Sequence, residues 1–224
     1  MQSAVEPGTS DIPQSFCPEA ASPHVSVSSV FKRLLDIAGG MVGLAVLILL
    51  FIPIAIAIKL DSPGPVLYSQ TRYGLLGQPF RIYKFRSMVQ NADQLKATVG
   101  NEAKGLIFKN ENDPRITRVG RFLRKTSLDE FPQFWNVLKG EMSLVGTRPP
   151  TADEVARYDR HHWQRLQVKP GITGEWQVNG RSLIKDFEDI VTLDLRYQAR
   201  WHPLYDLVLI WKTVAVLFSD RGAY

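Results

Sequence analysis

The longest unbroken apolar stretch runs from Ile37 to Ile58, 22 residues without a charge. As a helix it is long enough to cross a bilayer. It is also too apolar all round for a surface helix of a soluble domain. Lys32 and Arg33 precede it, and Lys59, Arg72, Arg81, Lys84 and Arg86 follow. With both flanks basic, the charge rule for membrane orientation selects neither side. Two arrangements stay open. One is a straight single-pass anchor. The other is a helix that enters and leaves on one face, broken where Pro53 removes a backbone hydrogen bond. Residues 1–30 are rich in Ser, Pro, Ala and Glu and contain no Lys or Arg, which predicts a disordered tail and does not resemble a secretory signal.

Beyond the apolar stretch the pattern changes. Asp61–Pro65 (DSPGP) reads as a turn cluster. Val66–Gln70 and Phe80–Phe85 alternate and carry β-branched and aromatic residues, so they predict two strands. Residues 88–112 are polar, partly helical and then loop. Arg115, Arg118, Arg121 and Arg124 recur every third residue and would form a drifting basic stripe on a helix. Leu144–Pro150 predicts a strand ending in a rigid turn that fixes Arg148, residues 151–168 an amphipathic helix, and Glu175–Val178 a short strand. Residues 186–200 place Phe187, Ile190, Leu193, Asp194 and Tyr197 at helical spacing, a core face with one acid on it. The last helix, 204–218, fits either a membrane interface or a buried core. The adjacent pair His161-His162 diverges on a helix and is read as surface rather than as a metal site.

Composition narrows the chemistry. The 224-residue chain carries a net charge of +5 and a pI near 9.3, which favours anionic partners. Its one cysteine, Cys17, excludes a disulfide framework. The densest chemistry lies in residues 124–150, RKTSLDEFPQFWNVLKGEMSLVGTRPP. Ser127 and Glu130 have capping-box spacing, which would put Asp129 and Glu130 in the first turn of a helix, where the macrodipole keeps acids ionised. Pro132 is tolerated near such a start. Two carboxylates at a helix start can reach one divalent cation, and beside arginines they suit Mg²⁺ and a phosphate substrate. A solvated acidic first turn is the plainer reading of those two residues alone.

The motifs taken together resemble the bacterial sugar transferases, the monotopic phosphoglycosyl transferases that start exopolysaccharide assembly. The resemblance runs through Lys32-Arg33, SPGP at 62–65, KFRSM at 84–88, DPRIT at 113–117, SLDEFPQ at 127–133, NVLKGEMSLVG at 136–146, Arg148-Pro149 and PGITGEWQVNGR at 170–181. It implies transfer of hexose-1-phosphate from a UDP-sugar (glucose or galactose) to undecaprenyl phosphate, with release of UMP. By the same resemblance Asp129 matches the nucleophile, which forms a covalent aspartyl-phosphosugar intermediate, and Glu130 its partner in holding Mg²⁺. Arg124 and Arg148 match active-site, phosphate-binding arginines. Lys84, Arg86, Arg181 and Asp194 complete the expected substrate-binding set. The family's membrane helix re-enters at a Ser-Pro pair. Here Ile52-Pro53 keeps the proline, and Thr147 stands where the family usually has proline.

The expected fold is therefore α+β and mainly helical. It has a re-entrant membrane helix over 31–60 broken near Pro53, small β-sheet elements, and amphipathic interfacial helices in a catalytic domain over 61–224. The expected location is the cytoplasmic face of the bacterial inner membrane, with no nucleic-acid partner. Two rival readings are a membrane-anchored metal-dependent phosphatase or nucleotide-sugar hydrolase and a basic, non-enzymatic protein on anionic surfaces.

Overall fold

A computed structural model describes residues 22–180 and 183–218. The apolar stretch forms α1 (Val30–Asp61), with Pro53 inside it. Ser29 opens this helix by accepting from the Lys32 N–H, one of the four orphan donors of a helix start. A short 3-10 helix, Val25–Ser28, precedes it and buries Ser26, and the His24 N–H donates to the Gln167 carbonyl. The tail expected over residues 1–30 is thus corrected at its end. Backbone pairing and a buried serine hold residues 24–29 on the domain, where composition alone predicted none.

α1 packs along the rest of the protein. Lys32, 6% exposed, donates to Asp206 at 2.7 Å, to the Val145 carbonyl at 2.8 Å and to the Tyr197 hydroxyl at 3.1 Å. Asp36 accepts from the Ser143 hydroxyl and the Leu144 N–H, both at 2.8 Å. Further on, a Cβ at Gly43 would collide with the Phe134 ring, so the helix lies directly on that side chain. Near its end, Ile58 joins a cluster with Phe85 and Leu123 that also receives Leu47, Ile54 and Leu128. Asp61 accepts from the Val119 N–H at 2.8 Å. Between these contacts Ile48, Leu49, Ile52 and Ile56 are exposed. The result is one long apolar N-terminal helix suited to a membrane.

The two predicted strands form an antiparallel hairpin, β1 (Leu67–Tyr73) and β2 (Pro79–Phe85), registered from Leu67 opposite Phe85 to Tyr73 opposite Pro79. α2 (Arg118–Lys125) follows, capped by Thr117. Arg118, Arg121 and Arg124 lie on it. Arg115 falls outside the helix, buried against Asp113 at 2.7 Å, so the expected four-arginine stripe is shorter by one. A 3-10 turn, Leu128–Gln133, carries the acid pair and leads into α3 (Phe134–Lys139).

β3 (Ser143–Val145) pairs in parallel with β4 (Gly171–Thr173). The single helix expected over 151–168 is instead α4 (Ala152–Val155), α5 (Arg160–Trp163) and a 3-10 turn, Gln164–Gln167. Thr151 with Glu154 and Asp159 with His162 each close a capping box, so two starts interrupt what the apolar pattern reads as one helix. His162 is buried and its ring nitrogen meets Glu188 at 2.8 Å, which corrects the surface reading. Glu175–Val178, expected as a strand, is a helical turn, α6. The Asn179 amide pulls the chain round by donating to the Glu175 carbonyl at 2.7 Å.

α7 (Phe187–Arg200) buries the predicted face, Phe187, Ile190, Leu193, Asp194 and Tyr197. α8 (Pro203–Phe218) buries Asp206 and Leu209 against the domain and exposes Leu204, Leu207, Val208, Trp211 and Val214. An apolar face left outward fits an interface helix better than a core helix. Among the described residues the architecture is mainly helical with two small sheets.

Candidate active site

The acid-bearing turn is set by its neighbours. Ser127 sits in the left-handed region (φ 56, ψ 16) and its side chain does not cap the turn, so the capping box expected with Glu130 is not formed. A non-glycine residue held there is strained and marks an over-determined local structure. Leu128 anchors the turn in the cluster around Ile58, Phe85 and Leu123. Asp129 and Glu130 remain in the first turn, now of a 3-10 helix. Asp129 is 4% exposed. Glu130 accepts from Lys84 Nζ at 2.8 Å.

Both acids line a cleft of about 580 Å³ with Lys84, Arg86, Arg124 and Arg148. Four separate segments therefore deliver the expected groups to one place. Arg124 comes from α2, which lies so close to the chain at Ser87 that Gly120 has no room for a Cβ. Arg124 Nε donates to Ser87 Oγ at 2.9 Å. A side pocket of about 190 Å³, lined by Arg121, Arg115, Phe108 and Lys109, adjoins the cleft at Arg124. Arg86 lies against the SPGP turn, donating to the Ser62 carbonyl at 2.7 Å and to the Pro63 carbonyl. That anchors the turn as well as contributing charge.

Arg148 is held from two sides. Glu154 accepts from it at 2.8 and 3.1 Å, a bidentate pair. Burial pushes the Glu154 carboxyl up, but Arg148, its hydrogen bonds, Arg72 and Arg165 outweigh this, leaving it below its ordinary value. Behind it, Arg165 donates to the Arg148 carbonyl at 3.2 Å and to Asp194. Thr147, in place of the usual proline, fastens the same corner through its hydroxyl, which donates to the Arg165 carbonyl at 3.1 Å. Arg72 donates to the Pro149 carbonyl at 3.0 Å. Burial and then Arg148 bring its guanidinium down to about 10.

Asp194 does not reach the cleft. It is 1% exposed and paired with Arg165, itself fully buried. This corrects its expected substrate-binding role: it supports the arginine that supports Arg148. Arg181 lies outside the described residues. Glu154, Arg165 and Arg72 were not singled out as a support for Arg148 from the sequence. The Thr151–Glu154 capping-box spacing was the available signal for Glu154, and Arg165 had none.

Among the described residues no three His, Cys, Asp or Glu side chains gather into a metal cluster. Two adjacent carboxylates in a cleft rich in cations nevertheless match how Mg²⁺ is commonly held, by one or two carboxylates with substrate phosphates supplying the rest.

The family described as bacterial sugar transferase matches residues 27–220, which is nearly the whole described chain. The chain belongs to the bacterial sugar transferase family. It is 50% identical over 196 residues to galactosyl transferase CpsE of Streptococcus agalactiae serotype III (strain NEM316), covering 87% of this chain and 43% of that protein. It is 41% identical over 215 residues to UDP-glucose:undecaprenyl-phosphate glucose-1-phosphate transferase of Escherichia coli (strain K12), covering 91% and 43%. It is 36% identical over 215 residues to exopolysaccharide production protein ExoY of Rhizobium meliloti (strain 1021), covering 93% and 95%. This sugar transferase chain thus spans less than half the length of the first two relatives and nearly all of the third.

Proposed function

We propose that this chain transfers hexose-1-phosphate from UDP-glucose or UDP-galactose to undecaprenyl phosphate, releasing UMP, as the first membrane step of exopolysaccharide synthesis. One observation carries the reading: Asp129 and Glu130 share a cleft with Lys84, Arg86, Arg124 and Arg148, and their turn rests on the apolar helix through Leu128. Anionic donor and lipid acceptor can meet only where cations and membrane coincide. The relatives named as glucose-1-phosphate and galactose transferases on undecaprenyl phosphate support the substrate class. A phosphatase or nucleotide-sugar hydrolase is not favoured, because the named relatives are transferases.

In this reading Asp129 is the nucleophile. A carboxylate oxygen attacks the sugar-linked phosphorus of the UDP-sugar. The bond from that phosphorus to the bridging oxygen breaks, and UMP leaves with the electron pair. A phosphate oxygen of undecaprenyl phosphate then attacks the same phosphorus, forming the lipid diphosphate sugar and freeing Asp129. A covalent intermediate divides one transfer into two easier displacements. Arg124 and Arg148 stabilise the charge that accumulates on the phosphoryl oxygens. Lys84 holds Glu130 in place. Mg²⁺, held by Asp129 and Glu130, would relieve repulsion between the pyrophosphate and the acids.

The same proposal gives α1 a re-entrant course. A straight 32-residue helix is about 48 Å long, well beyond a hydrocarbon core of about 30 Å. Yet Lys32 and Asp36 near its start and Ile58 and Asp61 at its end all contact the same domain. Both ends on one face fit a helix that returns, with Pro53 weakening it between them. That keeps the catalytic domain on the cytoplasmic side, where UDP-sugars are made. The test is UMP release in detergent micelles with Mg²⁺. The proposal expects sustained release from a UDP-hexose only when undecaprenyl phosphate is present in excess over enzyme, a single equivalent of UMP per enzyme without the lipid, and none from Asp129→Asn. Sustained release without the lipid would refute it in favour of hydrolysis.

A further inference from the structure

The cleft has a wall that the phosphoryl chemistry leaves unused. β3 and β4 run in parallel, so both chains leave the sheet at the same end. Three residues past Val145 stands Arg148, and three residues past Thr173 stands Trp176. Between the two exits the backbones nearly touch: a Cβ at Gly174 would come within 3.3 Å of the Gly146 carbonyl carbon and closer to its oxygen. The phosphate-binding corner and the start of α6 are therefore fixed to one another. Trp176 and Gln177 both line the cleft with Asp129 and Arg148.

Each of these side chains carries a polar atom that no described residue satisfies. Trp176 Nε1, a donor, and Gln177 Oε1, an acceptor, are buried without a hydrogen-bond partner among the described residues. Buried polar groups are almost always paired, and an exception calls for a ligand or a water. Neither side chain is loosely placed. Trp176, 9% exposed, packs in the cluster of Phe187, Ile190 and Leu193, and the Lys109 ammonium lies 5.7 Å from its ring centroid. The Gln177 amide is oriented by Nε2, which donates to the Ile172 carbonyl at 3.4 Å.

We infer that Trp176 and Gln177 bind a hydroxyl of the donor's hexose. This rests on the transferase reading above. A phosphate offers only acceptors and would leave Gln177 Oε1 unpaired. A hydroxyl accepts from the indole N–H and donates to the amide oxygen, satisfying both. The position agrees with the chemistry, since the hexose is attached to the phosphorus that Asp129 attacks and Arg148 faces. A site built to hydrogen-bond a hydroxyl discriminates strongly against a sugar that lacks it.

The test compares wild type with Trp176→Phe and Gln177→Leu, which keep most of the packing volume. The readouts are kcat/KM for the best UDP-hexose, kcat/KM for each of its monodeoxy analogues, and the Kd of UMP. Both variants are expected to lose about 10- to 100-fold with the parent sugar. Both should lose less than about twofold with one and the same deoxy analogue, whose missing hydroxyl is the one they bind. The Kd of UMP should not change, because UMP carries no hexose. Equal losses across every analogue, or a UMP affinity that falls in step, would mean a packing role and overturn the inference. If wild type turns over no UDP-hexose, the transferase reading fails and takes the inference with it. If wild type is active and the variants match it on every sugar, the inference alone fails.

Discussion

Gly120 is the residue on which the placement of Arg124 depends. A Cβ built on it would stand 2.6 Å from the Ser87 carbonyl carbon and 2.8 Å from the Ser87 Cα, and nearer still to the carbonyl oxygen. The obstacle is backbone, which cannot rotate away as a side chain can. Ser87 is also held there by its carbonyl, which accepts from the Thr117 N–H at 3.2 Å. In Gly120→Ala, then, α2 must retreat by roughly 1 Å or more to restore ordinary contact. Arg124 lies one helical turn further on the same face and loses its 2.9 Å bond to Ser87 Oγ. Overpacking of this kind costs about 1–3 kcal/mol, a fall of roughly 2–12 °C in Tm for a chain of this size. If Arg124 holds the transferred phosphoryl group as proposed, a displacement near 1 Å costs about 100-fold in rate. The assay pairs thermal unfolding in detergent with kcat/KM for sugar-phosphate transfer. A Gly120→Ala protein with wild-type Tm and wild-type turnover would refute the claim that this contact seats Arg124.

Glu154→Gln keeps the capping box but removes the charge facing Arg148, and should cost about 2 kcal/mol at pH 7, read as a lower Tm. The Glu154 carboxyl is held below its ordinary value in the folded state, so its stabilisation is present above that value and is lost as pH falls through the folded one. The Tm gap between wild type and variant should narrow as pH falls below the ordinary glutamate range; a constant gap would count against the pairing. Asp206→Asn leaves the buried Lys32 ammonium without its carboxylate partner and should cost about 3–5 kcal/mol, with early proteolysis at the junction of α1 and α8; unchanged protease resistance argues otherwise. Cysteines at Ser29 and Ser62 in intact cells should both be shielded from an impermeant thiol reagent if α1 returns to one face. Labelling of only one of them contradicts re-entry.

The hairpin was legible because alternation and turn residues flank it on both sides, and the observed strands extend the predicted ones by only a few residues. The 186–200 face was legible for the same reason, a clear period. The cleft was legible as a set of residues but not as a geometry. Nothing local links Lys84, Arg124, Asp129 and Arg148, which meet through long-range packing of β2, α2 and the 3-10 turn. Asp194 shows the limit from the other side. A buried acid at helical spacing looks the same in sequence whether it faces substrate or an internal arginine, and only Arg165, 29 residues away, decides. The region 151–168 failed because its apolar period was read over two capping signals, Thr151 and Asp159. Glu175–Val178 failed because a local bond from Asn179 to the Glu175 carbonyl and a tertiary contact of Glu175 with Tyr205 override the strand preference of Trp176 and Val178.

The central claim is that Asp129 carries the phosphosugar. Purified protein with Mg²⁺ and UDP-glucose or UDP-galactose, without lipid acceptor, should gain the mass of one hexose-phosphate, mapped by peptide to Asp129. The adduct should vanish when undecaprenyl phosphate is added. UMP formed only when both substrates are present together, with no adduct trapped before the lipid arrives, would contradict the covalent route.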